Sequence, residues 1–530
     1  MIYKNPIIHA DYSDPDVIRD GSDFYMAASS FTYLPGVPLL HSKDLVHWEL
    51  INYCVGRLPF DRYDMPAHGC GCWAPSIRKH NGRFYVFVPL PDEGIFVAEA
   101  MDPYGKWELH CLKQAKGWID PCPFWDDDGR AYMVFAYAHS RCGIKHRISI
   151  CEIAEDASRI LSDPVILYDG TQQNPTIEGP KLYKRNGYYY IFAPAGGVPQ
   201  GWQTVLRSKN ILGPYEARVV MHQGNTEING PHQGGYVETG ESRGAFLHFQ
   251  DCGPYGRILH LQPLEWPNDW PFIGAEQNGD GIGEPVESWS YPVLTDSESD
   301  DKEDDKEEDK EGNKEDNGST PEIPTDDEFD GEELGIQWQW QANPQKKWYS
   351  LGMKKSCLRL YVQNNPARED NLLWYAPNVL TQIPQARTFC AAVRLELRGE
   401  TDGDLAAFGI LGHRYTYLGL QLKGEEYFIV LREGIVTEPT GAGKAQERVL
   451  SELPWTSGEI FIRLTMNENA VYDYEYSGDG IRYNKLAQYG PFGAAACTWT
   501  GMKVILAACN VENKSSAGWA DIDFIHFENT

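Results

Sequence analysis

The sequence predicts an all-β protein, a five-bladed β-propeller followed by a β-sandwich of jelly-roll type, and three observations carry that prediction. One hairpin pattern recurs five times in the N-terminal half. Frequent Gly and Pro, many Tyr and Trp, and no long apolar stripe of period 3.6 argue against helices. Beyond the stretch "TPEIPTDDEFDG" the hairpin pattern stops, and alternating strands such as "FCAAVRLELRG" and "YLGLQLKGEEYFIVLRE" replace it, as in an antiparallel sandwich.

Aligned on a proline, the repeats read "DPDVIRDGSDFYMAAS", "APSIRKHNGRFYVFVP", "DPCPFWDDDGRAYMVFA", "EGPKLYKRNGYYYIFA" and, more weakly, "GPHQGGYVETGESRGAFLHF". Their prolines are Pro15, Pro75, Pro121, Pro180 and Pro231, spaced by 60, 46, 59 and 51 residues, which suits a four-stranded blade. Each copy reads as a short run starting at the proline, a polar turn with glycine, and an aromatic return strand. A second phrase follows three of them, "HSKDLVHWEL", "AEAMDPYGKWEL" and "RSKNILGPYEA", and reads as a later strand of the same blade.

Radial blades point the starts of their innermost strands at a common axis. Residues beside the five prolines therefore converge there, and three are acids: Asp14, Asp120 and Glu178. A single acid before Gly-Pro is ordinarily a solvated turn residue. Three at equivalent positions crowd like charges at a cost of several kcal/mol, which is usually kept for chemistry.

The 530 residues, 42% hydrophobic, suffice for two or three buried domains, and no apolar run is long enough to span a membrane. The formal net charge of −29 argues against nucleic acid as a partner. Part of it is local: residues 296 to 316 hold thirteen Asp or Glu against four Lys and almost nothing apolar. The domain assignment is accordingly 1–295 propeller, 296–325 acidic linker expected to be disordered, and 326–530 sandwich. The N-terminus lacks a basic-then-apolar leader, so the expected location is cytoplasmic. Twelve scattered cysteines without a C-x-x-C read as free thiols, and Cys70 and Cys72 lack the second pair that a zinc site needs.

The quoted motifs resemble glycoside hydrolase family 43. "NPIIHADYSDPDVIRDGSDFYMAASSFTYLPGVPLLHSKDLVHWELI" reads as that family's opening blade, and "GCWAPSI", "WIDPCPFWDDDGRAY", "IEGPKLYKRNGYYYIFAPAGG" and "GPHQGGYV" follow in family order. The C-terminal half resembles the concanavalin-like sandwich of the β-xylosidase branch. The acidic stretch departs from the pattern, but it falls between the domains.

The resemblance implies an exo-acting, inverting β-xylosidase or α-L-arabinofuranosidase whose partner is an oligosaccharide. It places the general base on Asp14, the pKa-modulating acid on Asp120 and the general acid on Glu178. It implies substrate contacts at Phe31, Trp73, His232 and Arg257, with blade core as the alternative for the two aromatics. No cofactor is required, and no protein metal ligand is assigned; the resemblance associates a calcium ion or a water cluster with His232. Two further readings stand beside it: another five-bladed glycosidase, of arabinanase or galactan type, and a carbohydrate-binding propeller without catalysis. The intact acid triad favours the enzyme. The choice of sugar and the state of association, monomer or homo-oligomer, are open at this stage.

Overall fold

Each of the five proline-led repeats opens a four-stranded antiparallel sheet in the computed structural model, which describes residues 2–240, 243–292, 323–365, 368, 371–486 and 488–529. The innermost strands are Asp16–Asp20, Ser76–His80, Trp118–Trp125, Lys181–Arg185 and His232–Gly240. Asn81-Gly82 and Asn186-Gly187 have φ of 48° and 76°, and of 49° and 74°. Each is a two-residue turn with both φ positive, which matches the twist of the strands it joins and explains why Asn-Gly recurs there.

Two details of the repeats differ from the sequence reading. In the third blade the inner strand starts at Trp118, before the Asp-Pro pair, and the pairing register slips between Ile119 and Cys122. Asp120 and Pro121 thus lie in a bulge, because a proline cannot supply the ladder N–H. The second recurring phrase is the turn from third to fourth strand rather than one strand. Trp48, Trp107 and Tyr215 hold that turn by donating side-chain hydrogen bonds to the carbonyls of Leu45, Pro103 and Ile211, at 2.9, 3.2 and 2.9 Å.

All four strands of every blade are consecutive, so the ring closes by packing and by its N-terminal segment. Val17, Phe24, Met26 and Leu40 of the first blade share a core with Val237, Leu247, Leu259 and Leu261 of the fifth. The Asn5 amide donates to the carbonyls of Leu261 and Val286, both at 2.8 Å, while its oxygen accepts from Leu261 N. Ile2–Lys4 then pairs with Ser288–Ser290.

The C-terminal strands form two facing sheets. One runs in the order 339–340, 380–382, 503–510, 404–411, 414–423, 426–438, 444–455. The other is built on Phe389–Arg398, flanked by Trp519–Asn529 and Glu459–Met466. In Phe389–Arg398 buried and half-buried positions alternate, so the period of two aims Phe389, Ala391, Val393, Leu395 and Leu397 at the core between the sheets. The acidic stretch 296–316 lies outside the described residues.

The two domains are knitted together by backbone as well as by side chains. Leu34 of the first blade forms a two-way antiparallel bridge with Trp340, and His68 forms another with Gly441. His68 also stacks on Trp374 at 3.7 Å. The Asn343 amide spans Leu58 N and O at 2.8 and 3.0 Å.

Buried imidazoles give this architecture a defined acid lability. His68 and His248 are pushed down to about 4 by burial, and burial also holds His260 well below the usual value. A depressed histidine stabilises the fold fully above its unfolded pKa of about 6.5, and that stability is lost as pH falls toward the folded value. Thermal scans should therefore show Tm falling from pH 6.5 to 4.5, with proton uptake on unfolding. His248→Gln should reduce the slope of stability against pH by about 1 kcal/mol per pH unit in that window. An unchanged slope would contradict the assignment.

Candidate active site

In four of the five repeats the residue before the proline adopts the left-handed conformation, and the site is built on those turns. Asp14 and Asp120 have φ of 54° and 55°, and Gly179 and Gly230 have 59° and 35°. Glu178 therefore sits one residue before the position that Asp14 and Asp120 occupy, a correction to the reading of three equivalent sites. Gly179 takes the left-handed conformation instead. A Cβ on it would lie 2.4 Å from the Gln233 side chain, and its N–H donates to Asp120 Oδ2 at 2.8 Å. The shift frees one backbone donor for Asp120 and aims Glu178 from a different point of the turn.

Each acid has its own environment. Asp14, 5% exposed, accepts from Arg257 Nη1 at 3.0 and 3.3 Å and from Ser29 Oγ at 2.6 Å. Both partners are donors, so the carboxylate oxygens act as acceptors there. Asp120 is pushed up to about 6, first by burial and then by the charge of Asp14, against the Gly179 N–H, Lys181 and Gln233. Glu178 is pushed up to about 8, by burial and then by the charges of Asp120 and Asp14, against Arg257 and Lys145. Its side chain still keeps 28% of its surface open.

The remaining sequence-assigned residues join the same cluster. The Arg257 guanidinium lies 5.5 Å from the Phe31 ring centre and 4.8 Å from that of Phe249. Phe31 meets Trp73 at 6.0 Å, and only 4% of its surface is exposed. Trp73 is half-buried and donates from Nε1 to Gly69 O at 2.9 Å. His232 is buried, with Nε2 3.6 Å from Glu178 Oε1, too long for a hydrogen bond. Burial and Arg257 push it down to about 3, so the ring is neutral.

Neither nitrogen of His232 has a hydrogen-bond partner within the protein. The donor set does not fit calcium well. No three His, Cys, Asp or Glu side chains gather into a metal site among the described residues, and a lone imidazole nitrogen is a poor ligand for an oxygen-seeking cation. Cys70 and Cys72 are buried, and burial pushes the Cys72 thiol up to about 12, away from the thiolate that a metal would need.

Several contributors were not visible in the sequence. Lys181, buried, donates from Nζ to Pro75 O and Ser76 Oγ, both at 2.7 Å, which brings an ammonium near Asp120. Arg141, on the helical turn His139–Cys142, lies 5.6 Å from the Trp73 ring centre. Trp499 comes from the sandwich: its ring meets Trp73 at 6.3 Å, edge to face, and half of its surface is exposed. Gly69 admits it, since a Cβ there would lie 2.5 Å from Thr498 Cγ2. An aromatic in the small-residue loop "AAACTWTG" is a weak signal, and nothing local ties residue 499 to residue 73.

The sequence model "Glycosyl hydrolases family 43" matches residues 3–271, and "Beta xylosidase C-terminal Concanavalin A-like domain" matches 326–528. A Xylanibacter ruminicola protein provisionally named a β-xylosidase is 35% identical over 95% of this chain and 85% of its own. A Formosa agariphila β-xylosidase is 29% identical over 99% and 90%. Among solved structures, a family 43 hydrolase engineered to display both endo-xylanase and exo-arabinofuranosidase activity superposes over the whole of both chains, with a TM-score of 0.82 at 25% identity.

The raised value at Glu178 is also a statement about stability. A carboxyl whose folded pKa lies above its unfolded one costs stability from about pH 4.5 upward, and the cost is complete above about pH 8. Glu178→Gln should therefore raise Tm by a few degrees at pH 8, corresponding to roughly 1–3 kcal/mol, and by almost nothing at pH 4.5. A Tm gain independent of pH would show that the carboxyl is not strained by its neighbours.

Proposed function

The chain belongs to glycoside hydrolase family 43 and is a glycoside hydrolase, and from that premise we propose that it removes single xylose or arabinose units from xylo-oligosaccharides or arabinoxylan-type side chains, with inversion. The observation that carries the mechanism is the asymmetry of the acids. Glu178, half-buried beside two carboxylates, is pushed up to about 8, whereas Asp14 is paired with Arg257 and Ser29. A protonated acid and an ionised base are what glycosidic cleavage needs at neutral pH.

In this reading Glu178 gives its proton to the leaving glycosidic oxygen as the bond from C1 breaks. Asp14 takes a proton from a water that attacks C1 from the opposite face, so the first-formed sugar has inverted configuration. Asp120 keeps the Glu178 proton in place by repulsion and holds the turn of Glu178 through the Gly179 N–H. Phe31, Trp73, His232 and Arg257 form the sugar-facing surface. No step passes through a metal.

Exo action is supported by Trp499, which the sandwich sets against Trp73 and which narrows the approach from that side. Named relatives include a non-reducing end α-L-arabinofuranosidase of Bacteroides ovatus, 25% identical over 89% of this chain and 84% of its own, so both sugars belong in the assay. The twelve cysteines are free thiols, mostly buried, which supports action in a reducing compartment.

Three outcomes are expected. Glu178→Gln should lose about 10²–10⁴-fold on unactivated oligosaccharides but under about tenfold on aryl glycosides with acidic leaving groups, which leave without a proton. Equal losses on both would remove Glu178 from the acid role. The wild-type rate should fall as pH rises through about 8, where Glu178 loses its proton. Proton NMR of the first-formed sugar should show inversion, and Asp14→Ala should be inactive without accumulating a glycosyl-enzyme; retention, or an adduct on Asp14, would contradict the mechanism. The ratio of rates on aryl β-xyloside and aryl α-L-arabinofuranoside decides between the two sugars.

A further inference from the structure

Asp11 lies three residues before Asp14, at the junction of the two domains, and its carboxylate is divided between them. Oδ2 accepts from Gly501 N at 2.8 Å and from Lys503 Nζ at 3.2 Å, both in the sandwich. Oδ1 accepts from Arg257 N at 2.9 Å and from Ser13 Oγ at 3.2 Å, both in the propeller. The pair is deeply enclosed, with the Lys503 and Asp11 side chains 2% and 3% exposed. Arg257 is then held at both ends: its backbone N–H rests on Asp11 and its guanidinium on Asp14.

The surroundings fix this junction closely. Gly256 has a φ of 77°, and a Cβ on it would lie 2.4 Å from Asp11 Oδ1 and 2.5 Å from Gly501 N. A Cβ on Gly501 would lie 2.5 Å from Tyr255 O, and Met502 N donates to Pro254 O at 2.7 Å. The blade-five turn and the sandwich loop thus meet backbone to backbone, with the Asp11 carboxylate between them. The Lys503 ammonium also lies 5.0 Å from the Tyr33 ring centre, which limits where it can move.

We propose that Lys503, acting through Asp11, is a positioning residue for the hydrolytic reaction: the sandwich fixes the backbone of Arg257 and thereby the seat of the Asp14 carboxylate. The proposal rests on the reading of Asp14 as the base. An inverting base must sit a water's width from the anomeric carbon, and a displacement of about 1 Å at such a group can cost on the order of 10²-fold in rate. The C-terminal domain then contributes to turnover as well as to the pocket wall.

The test compares interface variants on one aryl glycoside. Lys503→Met and the near-isosteric Asp11→Asn should each lower kcat by about ten- to a hundredfold with KM within about twofold. The double variant should be no worse than the poorer single, since the two act as one unit. Lys503→Arg should recover most of the rate. Asn343→Ala removes a different buried interdomain clamp with no link to Arg257, and it should lower Tm while leaving kcat within about twofold. Should Asp11→Asn and Lys503→Met lower Tm as Asn343→Ala does but keep kcat, the relay is overturned while the base assignment stands. Turnover retained in Asp14→Ala would overturn both.

Discussion

Three carboxyl groups crowd one end of a propeller axis, and a single guanidinium, Arg257, pairs with one of them. That imbalance is the constraint on which the rest depends. Burying like charges is unfavourable unless protons or cations compensate, and here each acid is compensated differently. Asp14 takes the guanidinium and the Ser29 hydroxyl, Asp120 takes a backbone N–H with Lys181 nearby, and Glu178 takes a proton. The division of roles follows from who neutralises whom. Replacing Arg257 would therefore disturb more than one contact, since its charge also opposes the rise at Glu178 and helps keep His232 neutral.

Much of this was legible in the sequence because the propeller repeats. Recurrence of Pro, an Asn-Gly or Asp-Gly turn and an aromatic strand reveals blade number, and radial symmetry turns five positions scattered over more than two hundred residues into neighbours. The acids converge as that symmetry implies, and Phe31, Trp73, His232 and Arg257, which the family resemblance rather than the repeat supplied, join them in one network of contacts. Symmetry also misled: it treated Glu178 as equivalent to Asp14 and Asp120, although a glycine intervenes before its proline. In four of the five repeats the left-handed residue is the one before the proline, so the extra Gly179 moved the acid back by one and supplied an N–H to Asp120.

What the sequence concealed lies where no repeat exists. Lys181 reads as an ordinary strand lysine, yet from the fourth blade its buried ammonium reaches the Pro75 carbonyl of the second. Trp499 and Lys503 belong to the sandwich, whose alternating strands announce a sheet but not which of its loops faces the propeller. Contacts between residues hundreds of positions apart leave no local periodicity, because the partners are selected by how two finished domains dock. Leu34 with Trp340, and His68 with Gly441, show how firmly that docking is made: backbone bridges fix the relative register of the domains as strands fix one another within a sheet.

Such docking changes what a second domain can do for a site. A long loop of the propeller could place an aromatic beside Trp73, but it would have to be ordered at a cost of about 1–2 kcal/mol per residue. The loop bearing Trp499 is instead anchored at its base by a strand, Lys503–Asn510, in the middle of a seven-stranded sheet whose core is already formed. The packing of that strand orders the base of the loop, so less of the ordering cost falls on the site itself. The same strand begins with Lys503, which reaches Asp11 and, through it, the backbone of Arg257. One rigid element therefore touches both the aromatic approach to the pocket and the charged floor beneath it, and a change in the sandwich is felt at both.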